Sequence, residues 1–179
     1  MNMKMAMGTW EDAERLVGSV IDVITAADEV NDPMIRHQLE VLEWDRSVSI
    51  DDEAARLAGY PGRVAPFSMY MTFGMAPYWQ PGQPPLSSNV LAPMAFAKVP
   101  GPASSMLATS TEVEFVTPMR PGDRLTSTWR LVAVTRKRLH IGDGAFLDFE
   151  VTYRNQLDET VVIERTSAFR YDPVEETAT

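Results

Sequence analysis

The sequence predicts an α+β fold in which an antiparallel sheet wraps around one central helix. Three observations predict it. The first half of the chain carries helix-start signals and apolar residues at helical spacing. Residues 66–76, PFSMYMTFGMA, hold no charged side chain at all. From Thr109 onward the chain turns to alternating segments separated by turn residues. A chain of 179 residues is long enough for one domain with a core. That domain is expected over residues 8–172, with residues 1–7 and 173–179 as flexible termini.

The elements follow in order. Trp10 to Val17 reads as a short helix with Thr9 as its N-cap. Ser19 to Ile24 alternates and suits a first strand. Asp32-Pro33 is a helix start, an N-cap acceptor followed by proline at the first helical position. Ile35, Leu39 and Leu42 then recur on one face. Asp51 to Leu57 is a second short helix stopped near Gly59. Pro66 to Ala76 predicts a helix buried on all sides, because it offers no face suited to water. Trp79 to Ala103 is rich in proline and glycine and reads as a long irregular loop. Strands are expected over Thr109–Val116, Arg124–Val134, Phe146–Arg154 and Thr160–Tyr171. In the third of these, Leu147, Phe149, Val151 and Tyr153 alternate with Phe146, Asp148, Glu150 and Thr152, the pattern of a half-buried antiparallel strand.

Composition excludes several classes of function. There is no cysteine, which removes disulfides, thiol catalysis and thiolate metal sites. The net charge of −9 argues against nucleic acid, which needs a basic surface. It does not exclude an anionic ligand held by a local basic patch. No apolar run is long enough to span a bilayer, and the first seven residues lack the form of a signal peptide. A cytoplasmic location is the expectation.

The segment Trp44-Asp45-Arg46-Ser47-Val48-Ser49-Ile50-Asp51-Asp52-Glu53-Ala54-Ala55-Arg56 is followed by Gly62-Arg63-Val64-Ala65-Pro66 and, later, by Pro121-Gly122-Asp123-Arg124-Leu125. This ordered set resembles the MaoC-like dehydratases, the hot dog enoyl-CoA hydratases, across roughly Trp10 to Tyr171. The resemblance implies a single hot dog domain that pairs with another as a double hot dog. Members carry Asp-x-Asn-Pro-[Ile/Leu]-His before the Asp-Asp helix. Here Trp44 (or Asp45), Arg46, Ser47 and Ser49 stand at those positions. Ala65-Pro66 in place of Ala-His-Gly resembles the subgroup that forms one half of a two-part hydratase.

Hydration of an enoyl thioester needs a base for water, an acid for the α-carbon and donors for the thioester oxygen. No catalytic residue is assigned to this chain on that basis. Ser49 without a neighbouring base is a poor acid or base. Asp45 is the nearest carboxylate, with capping or surface exposure as its commoner role. His37 lies on a helix beside the apolar stripe and His140 in a loop; both suit plain surface roles. Candidate substrate-binding residues are Phe67 and Ser68, for backbone donors at the start of the central helix, and Met71 and Trp79, for an apolar wall. Arg136, Lys137 and Arg138 are candidates for the phosphates of CoA. Core packing explains the methionines equally well, and a solvated strand end explains the basic run. No metal or cofactor is expected; acyl-CoA would be the substrate.

Two readings follow. In one, the chain is the non-catalytic subunit of a heteromeric hydratase. A catalytic hot dog partner supplies Asp and His, and bulky acyl groups, steroid side-chain or long-chain, are accommodated. In the other, it is a homodimeric acyl-CoA-binding or scaffold protein without turnover. A third, an active homodimer with Asp45 or His37 as an unusual base, stays open at this stage.

Overall fold

A computed structural model describes residues 5–77, 81–82 and 94–173. Trp79, and the first four and last six residues, lie outside that range. The elements run α1 (Trp10–Glu14), β1 (Val20–Thr25), α2 (Asp32–Leu42), α3 (Ser47–Ile50) and α4 (Asp52–Leu57). A 3-10 turn (Phe67–Met69) then continues into α5 (Tyr70–Phe73). After α6 (Met94–Lys98) come β2 (Ser105–Phe115), β3 (Thr126–Leu139), β4 (Gly142–Arg154) and β5 (Thr160–Pro173).

The strands form one five-stranded antiparallel sheet in the order β1-β3-β4-β5-β2. The predicted alternation in β4 is borne out: Leu147, Phe149, Val151 and Tyr153 are buried and their neighbours are half-buried. That face meets the buried residues Ile35, Leu39, Met69, Phe73, Phe96 and Trp129 in a single core. Burial of such side chains contributes about 1.5–3 kcal/mol each.

Local chemistry fixes the helix starts. Thr9 and Asp12 form a reciprocal capping box at α1. The cap of α2 is Asn31, not Asp32; its side chain accepts from the Met34 N–H at 3.0 Å, with Pro33 in the first turn. Asp51 caps α4 by accepting from Glu53 and Ala54. Gly122 takes φ +94 in the Pro-Gly-Asp turn, where a side chain would strain the backbone. The buried Asp123 carboxylate closes that turn on the Arg120 N–H at 2.7 Å.

Three expectations need correction. The segment 66–76 is no long helix buried on all sides: it is a short turn and a single helical turn, ending near Gly74. Met69, Tyr70, Phe73 and Gly74 face the core, while Ser68, Met71, Thr72 and Met75 face outward. Absence of charge signalled an uncharged surface, not enclosure. Second, the predicted loop contains α6, whose Phe96 packs on Phe149 with ring centroids 4.7 Å apart. Third, residues 5–7 are not loose. Met5 is buried, Ala6 exchanges backbone hydrogen bonds with Ala97 and Gly101, and Met7 bridges to Gly101.

Candidate functional site

The residues that carry the family resemblance come together around the entry to the central turn. The Asp52 carboxylate accepts from the Arg63 N–H at 3.0 Å, tying α4 to the segment before Pro66. The Arg63 guanidinium reaches Asp32 at 2.9 Å and Asp52 at 3.6 Å. The Val64 N–H bonds to the Val48 carbonyl at 3.1 Å, and the Ala65 N–H to the Met119 carbonyl at 2.8 Å. Three stretches distant in sequence therefore fix the backbone where Pro66 begins the turn. Met69 bonds back to the Pro66 carbonyl, and among the described residues the Phe67 and Ser68 N–H groups have no backbone acceptor. Among the described residues, two donors without a backbone partner remain at this start. A helical segment this short adds little dipole to them.

The positions of the missing acid and base hold nothing that replaces them. Trp44, Asp45, Arg46 and Ser47 are all exposed. The Arg46 guanidinium lies 5.5 Å from the centre of the Trp44 ring, a surface cation–π contact. Ser49 is buried, but it lines a hollow of about 320 Å³ with Asp32, Arg36 and Arg63, and no residue of the central turn lines that hollow. His37 and His140 are both exposed. The third reading, with Asp45 or His37 as base, finds no support in these placements.

The basic run does not form one patch. Successive strand residues point to opposite faces, so Lys137 is directed away from Arg136 and Arg138. Arg136 is engaged with α1, at 2.7 Å from Glu11 and 2.9 Å from Glu14. Hydrogen bonds to those two carboxylates hold its guanidinium pKa above the usual arginine value. Arg138 lies 3.5 Å from Asp143. A phosphate site made of all three is thus corrected by the strand period and by the α1 ion pairs. Met71 is 56% exposed and is no core residue.

One cluster escaped the sequence reading. Glu164 is buried on the core face of β5, opposite Val151 on one side and Val113 on the other. The Tyr153 hydroxyl donates to its carboxylate at 3.3 Å, and the Tyr70 side chain lies close by. Burial pushes the Glu164 carboxyl above the usual range, with the two hydroxyls acting against that shift. Burial and the nearby carboxylate likewise push both phenols up. The Tyr70 and Tyr153 rings meet edge-on at 5.2 Å, and Tyr70 and Phe67 both contact Phe115 at the rim of the sheet. A glutamate on the buried side of an alternating strand was the available signal. Among the described residues no His, Asp and Glu cluster has the form of a metal site. None of their helices is long and apolar enough to cross a membrane.

The family described as FAS1-like, dehydratase domain region matches residues 15–164. The chain belongs to this family. It is 32% identical over 147 residues to a probable enoyl-CoA hydratase alpha subunit of Thermomonospora curvata, covering 82% of this chain and 46% of that protein. It is 28% identical over 130 residues to the 3-oxo-4,17-pregnadiene-20-carboxyl-CoA hydratase alpha subunit of Mycobacterium tuberculosis, covering 72% of this chain and 41% of that protein. The chain thus spans under half the length of both relatives. Its fold matches a chain of the ChsH1-ChsH2 complex from Mycobacterium tuberculosis with a TM-score of 0.70 at 24% identity, covering 95% of this chain and 94% of that one. The fold is the MaoC-like hot dog that the motifs implied.

Proposed function

We propose that this chain is one half of a two-part enoyl-CoA hydratase. It shapes the acyl site while a partner hot dog chain supplies acid and base. The observation that carries the reading is the uncharged outward face of the central turn. Ser68, Met71, Thr72 and Met75 stand exposed there, beside a partly exposed Phe115. An apolar face of this kind is a liability on an isolated chain and suits a wall closed by a second domain. The relatives named as hydratase alpha subunits support the same reading.

The chemistry divides as follows. The partner's base takes a proton from water as the water oxygen attacks the β-carbon of the enoyl thioester. Negative charge moves toward the thioester oxygen, and the partner's acid protonates the α-carbon. The Phe67 and Ser68 N–H groups are this chain's contribution, as donors to that oxygen. Phe67, Met71 and Phe115 give an apolar surface to the acyl group, the thioether adapting to irregular shape. Bulky acyl groups, of steroid side-chain or long-chain type, fit a half that carries no catalytic side chains of its own. CoA is the thiol carrier of the proposed substrate.

Co-expression with a hot dog chain that retains the Asp-x-Asn-Pro-x-His segment tests this. The pair is expected to co-purify and to hydrate bulky enoyl-CoAs faster than either chain alone. Hydration by this chain alone, lost in Asp45→Ala or His37→Ala, would contradict it. So would a failure of both pairing and acyl-CoA binding, which would leave the scaffold reading.

A further inference from the structure

The rim of the sheet at β2 shows what kind of partner it accepts. β2 pairs with β5 alone, and among the described residues no strand occupies its other edge. Of the nine residues from Leu107 to Phe115, eight are exposed and Val113 is partly buried. Open edges of this length are templates for another strand. Leu107 and Phe115 are exposed at that edge, so the surface has apolar area to bury.

Charge decides which strand fits. The charged residues of β2 are Glu112 and Glu114, and it holds no lysine or arginine. Both glutamates share a single cross-strand cation. Arg165 lies 3.7 Å from Glu112, 3.8 Å from Glu114 and 3.5 Å from Glu150. Asp148, two residues before Glu150 on the same strand face, adds a fourth carboxylate, hydrogen-bonded to Ser167. Three carboxylates thus share one guanidinium, with Asp148 on the same face, and the rim stays negative.

A second copy added antiparallel at this edge would bring two such rims together. Adjacent strands lie about 4.8 Å apart. With the two-fold axis passing within 111–115, the nearest glutamates of the two copies fall within roughly one Debye length, about 8 Å at physiological salt. Like charges opposed across a strand pair are destabilising. The same edge attracts a strand with the opposite charge.

We propose that the β2 edge selects against self-pairing and docks the edge strand of a different chain, one bearing lysine or arginine opposite Glu112 and Glu114. This rests on the reading of the chain as half of a two-chain hydratase, and it names the chemistry of the other half at the joint. Homodimers are disfavoured by repulsion of the two acidic rims, and the apolar residues beside them provide the buried area once the charges match.

The test uses a charge-reversed copy of the chain as the basic-edged probe. Wild type, E112K/E114K and their equimolar mixture are compared by sedimentation equilibrium at low and high salt. At low salt the mixture is expected to associate at least tenfold more tightly than either chain alone. High salt should erase that advantage. A wild-type homodimer indifferent to salt and no weaker than the mixture would overturn the proposal and make a second copy the occupant. Absence of association in the mixture at every salt concentration would overturn it as well, since the edge would then be no docking surface. Melting curves check that the reversed variant folds. If it does not, E112Q/E114Q replaces it, and its self-association at low salt must exceed that of wild type. Hydratase activity is not read in this experiment, so matched pairing without turnover in the co-expressed pair would sink the hydratase reading alone.

Discussion

Replacing Arg170 by methionine is expected to destabilise the chain by about 2–4 kcal/mol. Arg170 is fully buried in β5, and among the described residues no carboxylate is bonded to it. Its guanidinium donates instead to four backbone carbonyls: Ala103 and Val99 at 2.6 Å, Ala6 and Gly101 at 3.0 Å. These bonds tie residues 5–7 and the stretch after α6 to the sheet. Each carbonyl left without a donor costs about 1–3 kcal/mol if it stays buried. Two effects reduce the total. The buried charge is itself costly, as shown by the burial that lowers the Arg170 pKa, and methionine removes that cost. Partly exposed neighbours such as Ala6 and Pro100 can also relax toward water. Methionine has a similar volume, so little cavity remains. Urea unfolding measures the change; with a slope of about 1–3 kcal/mol per molar, the midpoint should fall by roughly 1–2 M. Amide exchange should quicken at Gly8 and Gly101, whose N–H groups bond to Gly101 and Ala6, while the β3–β4 ladder stays protected. A midpoint within error of wild type, with slope unchanged, would refute the clamp. Arg170→Lys should fall between the two, since one ammonium cannot reach all four carbonyls.

Glu164→Gln should flatten the pH dependence of stability. A carboxyl held above its ordinary value makes a contribution that is complete below the unfolded glutamate pKa and is lost as pH rises through the folded one. Urea midpoints at about pH 5 and pH 8 should therefore separate less in the variant than in wild type. A separation unchanged by the substitution would place the pH dependence elsewhere. Met71→Asp should leave the isolated chain within about 0.5 kcal/mol of wild type, whereas Phe73→Ala should cost about 3–5 kcal/mol. Calorimetry of both variants decides which face of the central turn is core. Gly74→Ala should cost about 1–3 kcal/mol, because its Cβ would lie 2.7 Å from the Tyr153 ring and 3.0 Å from the Tyr70 carbonyl. A neutral result would mean that Tyr153 moves freely.

Much of the fold was legible because strands advertise a two-residue period. β4 and β5 end at Arg154 and begin at Thr160 as the alternation implied, α1 carried its Thr9 cap in plain letters, and α2 starts where expected with its cap one residue earlier, at Asn31. The order in which strands pair was not legible, since alternation fixes a face and not a neighbour. The central turn misled for a physical reason. An exposed face that carries no charge has the composition of a core, so 66–76 resembled a helix with no wet side. Helix α6 was hidden because Met94-Ala-Phe-Ala-Lys98 is too short to show a period among the surrounding prolines. For the candidate site, the absent acid and base could be read directly, but the roles of charged residues could not. Arg136 belongs to α1, Arg170 holds carbonyls, and Glu164 sits beneath the central turn. Each of these depends on partners 67 or more residues away in sequence or on the opposite strand.

The side chains that remain from the family pattern are those that hold backbone, and this bears on why a half without acid or base keeps its frame. Asp51 caps α4, Asp52 fixes the Arg63 amide, Arg63 spans Asp32 and Asp52, and Ala65 is pinned to Met119. None of these moves a proton in the proposed reaction. They set where Phe67 and Ser68 present their N–H groups, and a misplacement there of even about 1 Å costs rate in a reaction governed by orientation. Of the proton-transferring positions, Trp44 and Asp45 lie in solvent, while Ser49, at the histidine position, is buried but carries no acid or base. Acid and base can therefore be lost from one half while its backbone donors and apolar wall keep their positions. In the proposed pairing, a partner that retains acid and base needs from this chain geometry rather than chemistry, and the frame around Pro66 is the part suited to give it.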